Sequence, residues 1–385
     1  MSKAARPNAF IPGLLIGLLA GLLLASLDVF PFLEDDETLS EEAQRVIEES
    51  YFRDPDGRAL GDASVDGMVD ELRRRYDDRF SHYFDPKTLE EFRASTSGRF
   101  SGVGMAVSEV DRGLRVSLVY PDTPAQAAGI EEGDVIVAVD GERLAGVGAT
   151  AAAAKIKGPR GSEVTLTVDS GAAPPRELRL ERAEVKIPAV RGEVREADGR
   201  EIAHVTLLSF TKGAHSELRS EVERLERRGA EGLVLDLRGN GGGLLNEAVL
   251  TSSVFVEDGV IVETAGRTQP DHEYRAVGDA LPPRPTAVLV NRDTASAAEI
   301  LAAALDDHDL ADIVGERTFG KGTFQEVIEF ENGGAVDLTV GEFVTSKGRS
   351  LANRGIEPQV RVPDDGDPHP DEALREALDL VAGEL

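Results

Sequence analysis

The sequence predicts an α/β protein in which a hydrophobic N-terminal segment and a helical region precede two folded domains. From about 187 to 362, short apolar runs typical of buried strands alternate with amphipathic helical patterns, which favours a parallel-rich sheet covered by helices. From about 98 to 184 the apolar runs are short, alternate in polarity and are separated by glycine-containing turns. This second pattern indicates a β-rich domain with short helices.

Composition excludes several classes of protein. With 71 acidic and 42 basic residues among 385, the formal net charge is −29, and such a surface repels nucleic acid. The absence of cysteine excludes a disulfide framework, a thiol nucleophile and thiolate metal sites. No pair among the six histidines has metal-ligand spacing, so we expect no zinc site. The sequence implies no other metal and no organic cofactor.

Residues 9–27 form an apolar stretch about one membrane span long. Lys3 and Arg6 precede it and an acidic run, 34–37, follows it, which favours a single-pass anchor with the rest of the chain outside the cytoplasm, in the periplasm or the extracellular space. A cleaved signal peptide is the alternative, but the stretch around 25–28 shows no good small-x-small cleavage site. We therefore expect residues 1–33 to anchor the protein in the cell membrane.

The stretch 34–97 predicts a helical N-terminal region. Apolar residues recur at helical spacing from Leu39 to about Arg93, and Pro86 interrupts the pattern. Short helices that form an N-terminal arm are the expected structure.

The β-rich stretch, 98–184, has a recognisable order of elements. Predicted strands and one short helix alternate with turns: Val116–Tyr120, the helix Thr123–Ile130, Gly133–Gly141 and Val164–Val168. A glycine-rich loop comes before them and comprises Ser101, Gly102, Val103 and Gly104. Glycines expose backbone amides and adopt positive φ, so this loop is a candidate site for a carboxylate.

The stretch 185–363 supplies the predicted α/β core. Its expected elements, in chain order, are the strand Glu201–Phe210, the helix His215–Arg228, the strand Gly232–Leu237, the helix Leu244–Val256, the strand Thr286–Asn291, the helix Ala295–Asp307 and a strand around Ile313. The tail, 364–385, carries an apolar helical stripe of Leu374, Leu378, Val381 and Leu385. Such a stripe needs cover, either from this chain or from a second subunit.

Ser296 and Lys321 are the candidate catalytic pair. Ser296 follows a predicted buried strand and opens an alanine-rich helix, while Lys321 lies between two glycines that allow close backbone approach. A serine hydroxyl is a weak nucleophile that needs an adjacent base, and an amine serves only when desolvation lowers its pKa from about 10.4 toward roughly 7 to 8. Taken singly, the serine predicts a helix cap and the lysine a solvated turn.

Three sequence runs resemble the signatures of the carboxyl-terminal processing peptidases, also called tail-specific proteases. They are Leu235–Gly243 (LDLRGNGGG), Thr294–Ile300 (TASAAEI) and Gly320–Gln325 (GKGTFQ). The family commonly has Ser-Ala-Ser-Ala-Ser-Glu where this chain has Thr-Ala-Ser-Ala-Ala-Glu, and the middle serine, Ser296, is retained. The resemblance covers most of the chain beyond about Asp77, and 98–184 resembles a PDZ domain within it.

The resemblance implies the role of each site residue. It makes Ser296 the nucleophile, Lys321 the general base and Gln325 the residue that orients the lysine, which fits a strand in which positions 321 and 325 face the same side. It also makes Gly242 an oxyanion donor, with Gly241 and Gly243 as alternatives, and the amide of Ala297 at the helix start is the other donor. Asp307 matches another polar family position, but on one straight helix it would lie about 16 Å from the serine, so we expect at most a supporting role.

Two competing sources of chemistry were weighed. His204 and His308 occupy positions where structural histidines are ordinary, and none of the six histidines lies in a motif resembling a Ser/His/Asp enzyme. Ser209 and Lys212 form a Ser-x-x-Lys match, but it follows a strand rather than opening a helix and has no Ser-Asp-Asn or Lys-Thr-Gly partner.

The resulting functional hypothesis is a membrane-anchored serine endopeptidase. Its PDZ domain would bind the free C-terminus of a protein or peptide substrate as an added strand, and a Ser/Lys dyad would cleave the chain. One alternative is a catalytically inactive or gated PDZ scaffold of the cell envelope. Another is a hydrolase of esters or cell-wall crosslinks, which would leave the PDZ domain without a purpose. A homo-oligomer is possible under each hypothesis.

Overall fold

The computed structural model describes residues 38–171, 174–268, 270–363 and 371–385, which form two compact units, 1–75 and 76–385. The described part of the first unit contains helix α1 (Leu39–Ser50) and nearly all of α2 (Gly57–Tyr76). Thr38 caps α1 in a reciprocal arrangement with Glu41. The predicted anchor, 1–33, lies outside the described residues, and none of the described helices is long and apolar enough to cross a membrane.

The second unit begins with a strand that the sequence did not predict. A turn, Asp77–Ser81, leads into β1 (His82–Phe84), and α3 (Pro86–Thr96) follows. Asp85 caps α3 by accepting a hydrogen bond from the amide of Thr88 at 2.7 Å.

The β-rich domain contains eight strands and two short helices. They are β2 (Arg99–Gly102), β3 (Met105–Val110), β4 (Gly113–Val119), α4 (Pro124–Ala127), β5 (Val135–Val139), β6 (Glu142–Arg143), α5 (Ala149–Ile156), β7 (Glu163–Asp169), β8 (Arg176–Glu181) and β9 (Ala183–Lys186). Strands β3, β4, β5, β7 and β8 form a sheet in that order, β6 pairs with β5, and β2 pairs with β9. Strand β3 therefore lies at an edge of its sheet, where its outer backbone groups can pair with a further strand.

The α/β domain has a mostly parallel sheet with helices on both faces. Its elements are β10 (Val190–Ala197), β11 (Arg200–Leu207), α6 (Ala214–Glu226), β12 (Gly232–Asp236), α7 (Leu245–Ser252), β15 (Thr286–Val290), α8 (Ala297–Asp307), β16 (Asp312–Gly315), β19 (Val360–Arg361) and α9 (Glu372–Glu384). The sheet order is β10-β11-β12-β15-β16-β19, and only the β10–β11 pair is antiparallel. Helices α6, α7 and α8 share one core cluster, whereas α9 packs on the other face against Val234 and Leu289. The apolar stripe of the tail is thus covered by this chain.

A second, antiparallel sheet was not predicted. It comprises β13 (Val260–Gly266), β14 (His272–Arg275), β17 (Thr323–Glu329) and β18 (Ala335–Thr345), together with β1. The long strand β18 is central and pairs with β1, β13 and β17. Lys321 was expected to lie within strand β17. The strand starts only at Thr323, so Lys321 lies in the loop before it.

Helix α7 ends at Ser252, earlier than the predicted Val256. The hydroxyls of Thr251, Ser252 and Ser253 each donate to the carbonyl four residues back, at 2.7, 2.8 and 2.7 Å. Side chains that bond back to the helix backbone weaken the last turn, which explains the early end.

Candidate active site

Ser296 lies in a strained turn between β15 and α8. Its backbone has φ 56° and ψ −120°, a conformation that non-glycine residues seldom adopt. The turn is held on its N-terminal side, where the Thr294 hydroxyl donates to the carbonyl of Leu237 at 2.9 Å and the Ala295 amide donates to the carbonyl of Asn240 at 3.0 Å. A serine presented on a sharp strand-to-helix turn is typical of hydrolase nucleophiles.

The amide of Ala297 is available to an oxyanion. It is the first residue of α8, and within the described residues its N–H donates to no acceptor. An unpaired amide at a helix start stabilises developing negative charge through both the N–H and the helix dipole. Ala297 therefore follows Ser296 with an N–H that has no acceptor among the described residues, and its role as a donor stays a prediction.

Gly242 packs directly against the turn at Ser296. A Cβ atom added there would lie 2.8 Å from the carbonyl oxygen of Ala295 and 2.9 Å from Cβ of Ser296, and φ is +98°. Only glycine fits this position. In this arrangement, however, the Gly242 amide donates to Oδ1 of Asn240 at 2.9 Å, so it would have to release Asn240 to serve an oxyanion.

Glu299 joins the turn at Ser296 to the loop that carries Lys321. Its fully buried carboxylate accepts hydrogen bonds from the amides of Ser296 at 2.8 Å, Gly320 at 2.8 Å and Lys321 at 2.9 Å. It also accepts from the hydroxyl of Thr318. Burial raises the pKa of the Glu299 carboxyl, and these four hydrogen bonds act in the opposite direction.

The sequence analysis did not single out Glu299, although a signal was present. Glutamate stands three residues after Ser296, in the first turn of α8, which is the spacing of a capping box. That spacing predicts that the glutamate accepts a hydrogen bond from the Ser296 amide. It does not predict the hydrogen bonds from the amides of Gly320 and Lys321.

The side chain of Lys321 is covered and has no hydrogen-bond acceptor in the described part of the chain. Its Nζ lies over the ring of Phe80, 4.6 Å from the ring centroid. No hydrogen bond joins it to the hydroxyl of Ser296 or to Gln325 across the described ranges. Burial lowers the pKa of the Lys321 amine below its ordinary range, while the charge of Asp337 acts in the opposite direction.

Gln325 lies in β17 and bonds to residues other than Lys321. Its Nε2 donates to the hydroxyls of Thr323 at 3.4 Å and Thr339 at 3.2 Å. In this arrangement the glutamine does not touch the lysine, so its orienting role stays a prediction. It is connected instead to the turn before β1, because the Thr339 hydroxyl donates to Asp78 at 3.0 Å.

Asp307 is buried at the end of α8 and supports a different loop. Its Oδ2 accepts from the Ser346 hydroxyl at 2.9 Å and the Lys347 amide at 3.0 Å, and Arg349 forms an ion pair with it. These bonds lower the pKa of the Asp307 carboxyl against the effect of burial. Its contacts hold the turn that follows β18, and none of them reaches Ser296 among the described residues.

The competing histidines are occupied in structural contacts. Nε2 of His204 lies 3.2 Å from Asp236, which also binds Arg238, and Nε2 of His308 lies 2.9 Å from the carbonyl of Val260. Neither residue has a hydrogen bond to Ser296 in the described part of the chain. Within the same residues, no group of three or more acidic or histidine side chains is arranged to hold a metal ion.

The predicted carboxylate loop lies at the start of edge strand β3. Ser101 and Gly102 fall within β2 and pair with Glu184 and Ala183 of β9, so only Val103 and Gly104 are free loop residues. The amides of these two residues donate to no acceptor within the described ranges. Two of the four predicted loop residues therefore offer amides next to an open strand edge. This arrangement can bind the terminus of a peptide.

The fold and the site together define a serine hydrolase with a peptide-binding domain. Residues 201–362 match peptidase family S41, and residues 92–169 match the PDZ domain. The chain is 35% identical over 332 residues to a carboxyl-terminal-processing protease of Picosynechococcus sp., covering 85% of this chain and 79% of that one. It is 33% identical over 320 residues to the carboxy-terminal processing protease CtpA of Bacillus subtilis, covering 83% and 67%.

A solved structure shows the same architecture. The photosystem II D1 C-terminal processing protease matches with a TM-score of 0.53 and 29% identity, over 90% of this chain and 97% of that one. The chain belongs to peptidase family S41 and is a serine-type carboxyl-terminal processing protease with a PDZ domain.

Proposed function

We propose that Ser296 and Lys321 form the catalytic dyad of this protease. The observation that carries the proposal is the buried carboxylate of Glu299, which accepts hydrogen bonds from the backbone amides of both residues. One carboxylate thereby fixes the turn at Ser296 against the loop that carries Lys321. The lysine side chain is long and flexible enough to reach the serine from this fixed backbone.

The chemistry follows from these positions. Neutral Lys321 accepts the proton of the Ser296 hydroxyl as Oγ attacks the peptide carbonyl, and the amides of Ala297 and Gly242 stabilise the oxyanion. The resulting ammonium then protonates the leaving amine, which gives an acyl-enzyme. Water attacks the ester while Lys321 accepts its proton, and collapse returns that proton to Ser296.

Two rearrangements are required before this sequence can start. Nζ of Lys321 must turn from the ring of Phe80 toward Ser296, and the amide of Gly242 must leave Asn240. We propose that this is the arrangement of the enzyme before substrate binds. Substrate binding can supply the energy for both changes, because the new contacts exist only with substrate present.

We further propose that the PDZ domain, 98–184, delivers the substrate to the core, 185–363. The substrate C-terminus would pair with β3 and place its carboxylate on the amides of Val103 and Gly104. Residues 9–27 would anchor the protein in the cell membrane with the catalytic part outside the cytoplasm. Separation of membranes from soluble extract, with protease accessibility on intact cells, tests the anchor and its orientation.

The dyad is tested by cleavage of a disordered protein with an apolar C-terminus, using the full-length chain in detergent and mass spectrometry of the products. We expect Ser296→Ala and Lys321→Ala to abolish cleavage while both still bind a peptide with that C-terminus. Lys212→Ala is the matched control, because it removes the lysine of the competing Ser-x-x-Lys motif and should cleave normally. Cleavage by Lys321→Ala at the wild-type rate would contradict the dyad.

A further inference from the structure

The turn Asp77–Ser81 covers the amine of Lys321. Phe80 is half-buried, and its ring centroid lies 4.6 Å from Nζ of the lysine. The ring is the contact that the structure gives this amine, since no acceptor within the described residues binds it. The ring therefore lies where it can shield the amine from water.

The turn is fixed in place by its own hydrogen bonds. The carboxylate of Asp78 accepts from the amides of Phe80 at 3.0 Å and Ser81 at 3.2 Å, and from the Ser81 hydroxyl. The turn is also tied to β18, because the Thr339 hydroxyl donates to Asp78 at 3.0 Å and the Thr339 amide donates to Oγ of Ser81 at 2.9 Å. Ser81 is fully buried, so the hydrogen bonds that it makes are shielded from competing water.

We propose that Phe80 is a positioning residue for the general base: before substrate binds, its ring covers Nζ of Lys321, keeps water from the amine and so favours the neutral amine that then turns toward Ser296. The proposal rests on the proposed role of Lys321 as the base. It adds a residue from the segment ahead of the PDZ domain to the catalytic machinery. Thr339 connects the two parts, because it binds both Gln325 and the turn that carries Phe80.

Phe80 acts on the lysine in two opposite ways. Its apolar cover disfavours the charged amine, whereas the face of the ring attracts a cation. The loss of cover is the larger effect, because burial moves the pKa of a lysine by more than one cation–π contact does. The net pKa of Lys321 is lowered, with burial as the largest cause.

Four other ionisable groups act on this amine or lie next to it. Asp337 of β18 acts on Lys321 by its charge, and His82 of β1 is the cross-strand neighbour of Asp337. Asp78 lies within the turn, and Glu299 binds the backbone amide of Lys321. Burial raises the pKa of Asp337, while the charges of Lys321 and His82 oppose that rise.

The variants Phe80→Ala and Phe80→Leu distinguish the effect of apolar cover on the amine from the effect of the aromatic ring. Alanine exposes the amine, so the pKa of Lys321 should rise and the acidic limb of the kcat/KM profile should move to higher pH. A rise of one pH unit lowers the rate on that limb about tenfold. Leucine keeps apolar cover without a ring face, so its limb should stay in place or move to lower pH, and KM of both variants should stay within about twofold of wild type.

Asp337→Asn provides a shift of the opposite sign. Loss of the negative charge removes a stabiliser of the ammonium form, so the acidic limb should move to lower pH. The full-length enzyme and a quenched fluorescent peptide with an apolar C-terminus are suited to all the variants. An unchanged limb in Phe80→Ala, a limb moved to lower pH there, or equal upward shifts in the alanine and leucine variants would overturn the proposal.

If the Phe80→Ala enzyme turns over too slowly for the peptide assay, a second measurement tests the same shift. The rate at which an organophosphonate probe labels Ser296 depends on the same base without turnover, and it should show the same shift. Lys321→Ala separates the two levels of the argument: normal cleavage by that variant refutes the dyad itself. An inactive Lys321→Ala together with an unshifted Phe80→Ala refutes only the role of Phe80.

Discussion

Glu299 organises the site at the scale of single residues. Its two carboxylate oxygens accept four hydrogen bonds, three of them from backbone amides on two separate chain segments. A buried carboxylate costs free energy unless its hydrogen bonds are complete, and here they are. The same carboxylate therefore stabilises the strained turn at Ser296 and fixes the distance between the backbones of Ser296 and Lys321.

Glu299→Gln should lower kcat on the order of 100-fold with little change in KM. A glutamine has one acceptor oxygen, so its amide group would face backbone N–H donors, and reacting groups misplaced by about 1 Å lose roughly that much rate. Steady-state kinetics and thermal unfolding of this variant, compared with the wild-type enzyme, test the effect.

Glu247→Gln is the matched control for that change. Glu247 is also a buried glutamate in the first turn of a helix, and it accepts from the Gly213 amide at 2.7 Å and from Nδ1 of His215 at 2.8 Å. It should lose a similar amount of stability, about 1 to 3 kcal/mol, and keep its kcat. Equal losses of kcat in the two variants would show that Glu299 acts only through stability.

At the scale of elements, we predict that the edge strand β3 and the loop before it form the peptide site. Gly104 has φ +90°, and the loop is held by the Ala125 amide, which donates to the carbonyl of Val103 at 2.7 Å. This hydrogen bond holds the loop, while the amides of Val103 and Gly104 have no acceptor among the residues that the structure describes. A rigid set of free amides binds a carboxylate without paying a large ordering cost.

Gly104→Ala should weaken the binding of a peptide C-terminus at least tenfold. A Cβ atom there would lie 2.2 Å from Cβ of Thr123, which forces the loop to move. Gly133→Ala is the control, because Gly133 has a similar φ of +94° with no atom within 4 Å of the added carbon. Fluorescence anisotropy with a labelled peptide measures both, and equal affinities would argue against this loop as the carboxylate site.

At the scale of the whole molecule, the parallel core was predictable and the antiparallel sheet was not. Strands such as β12 and β15 are buried throughout, so each reads as a short apolar run followed by a helix. Strand β17 is mostly exposed, and β1 meets β18 only through pairing between residues far apart in the sequence, such as His82 and Asp337. Local patterns carry no signal for such pairing.

The same contrast applies to the site. Ser296, Lys321, Gly242 and Ala297 could be predicted as site residues because each stands in a short motif. In the structure, Glu299 accepts hydrogen bonds from the amides of Ser296 and Lys321, and Gly242 packs against Ser296 and Ala297. Phe80 has no motif, since its place over Lys321 depends on how the turn before β1 packs on β18. The resting positions of Lys321 and Gln325 also depend on these packing contacts, which the sequence does not encode locally.

The most direct test of the Ser296–Lys321 dyad is the pH dependence of labelling by an organophosphonate probe, with the modified residue located by peptide mass spectrometry. The full-length enzyme should be labelled at Ser296, at a rate that rises through the lowered pKa of Lys321. Lys321→Ala should remain unlabelled across the same pH range. Labelling of Ser296 in that variant at the wild-type rate, or labelling of a different serine in the wild-type enzyme, would contradict the account.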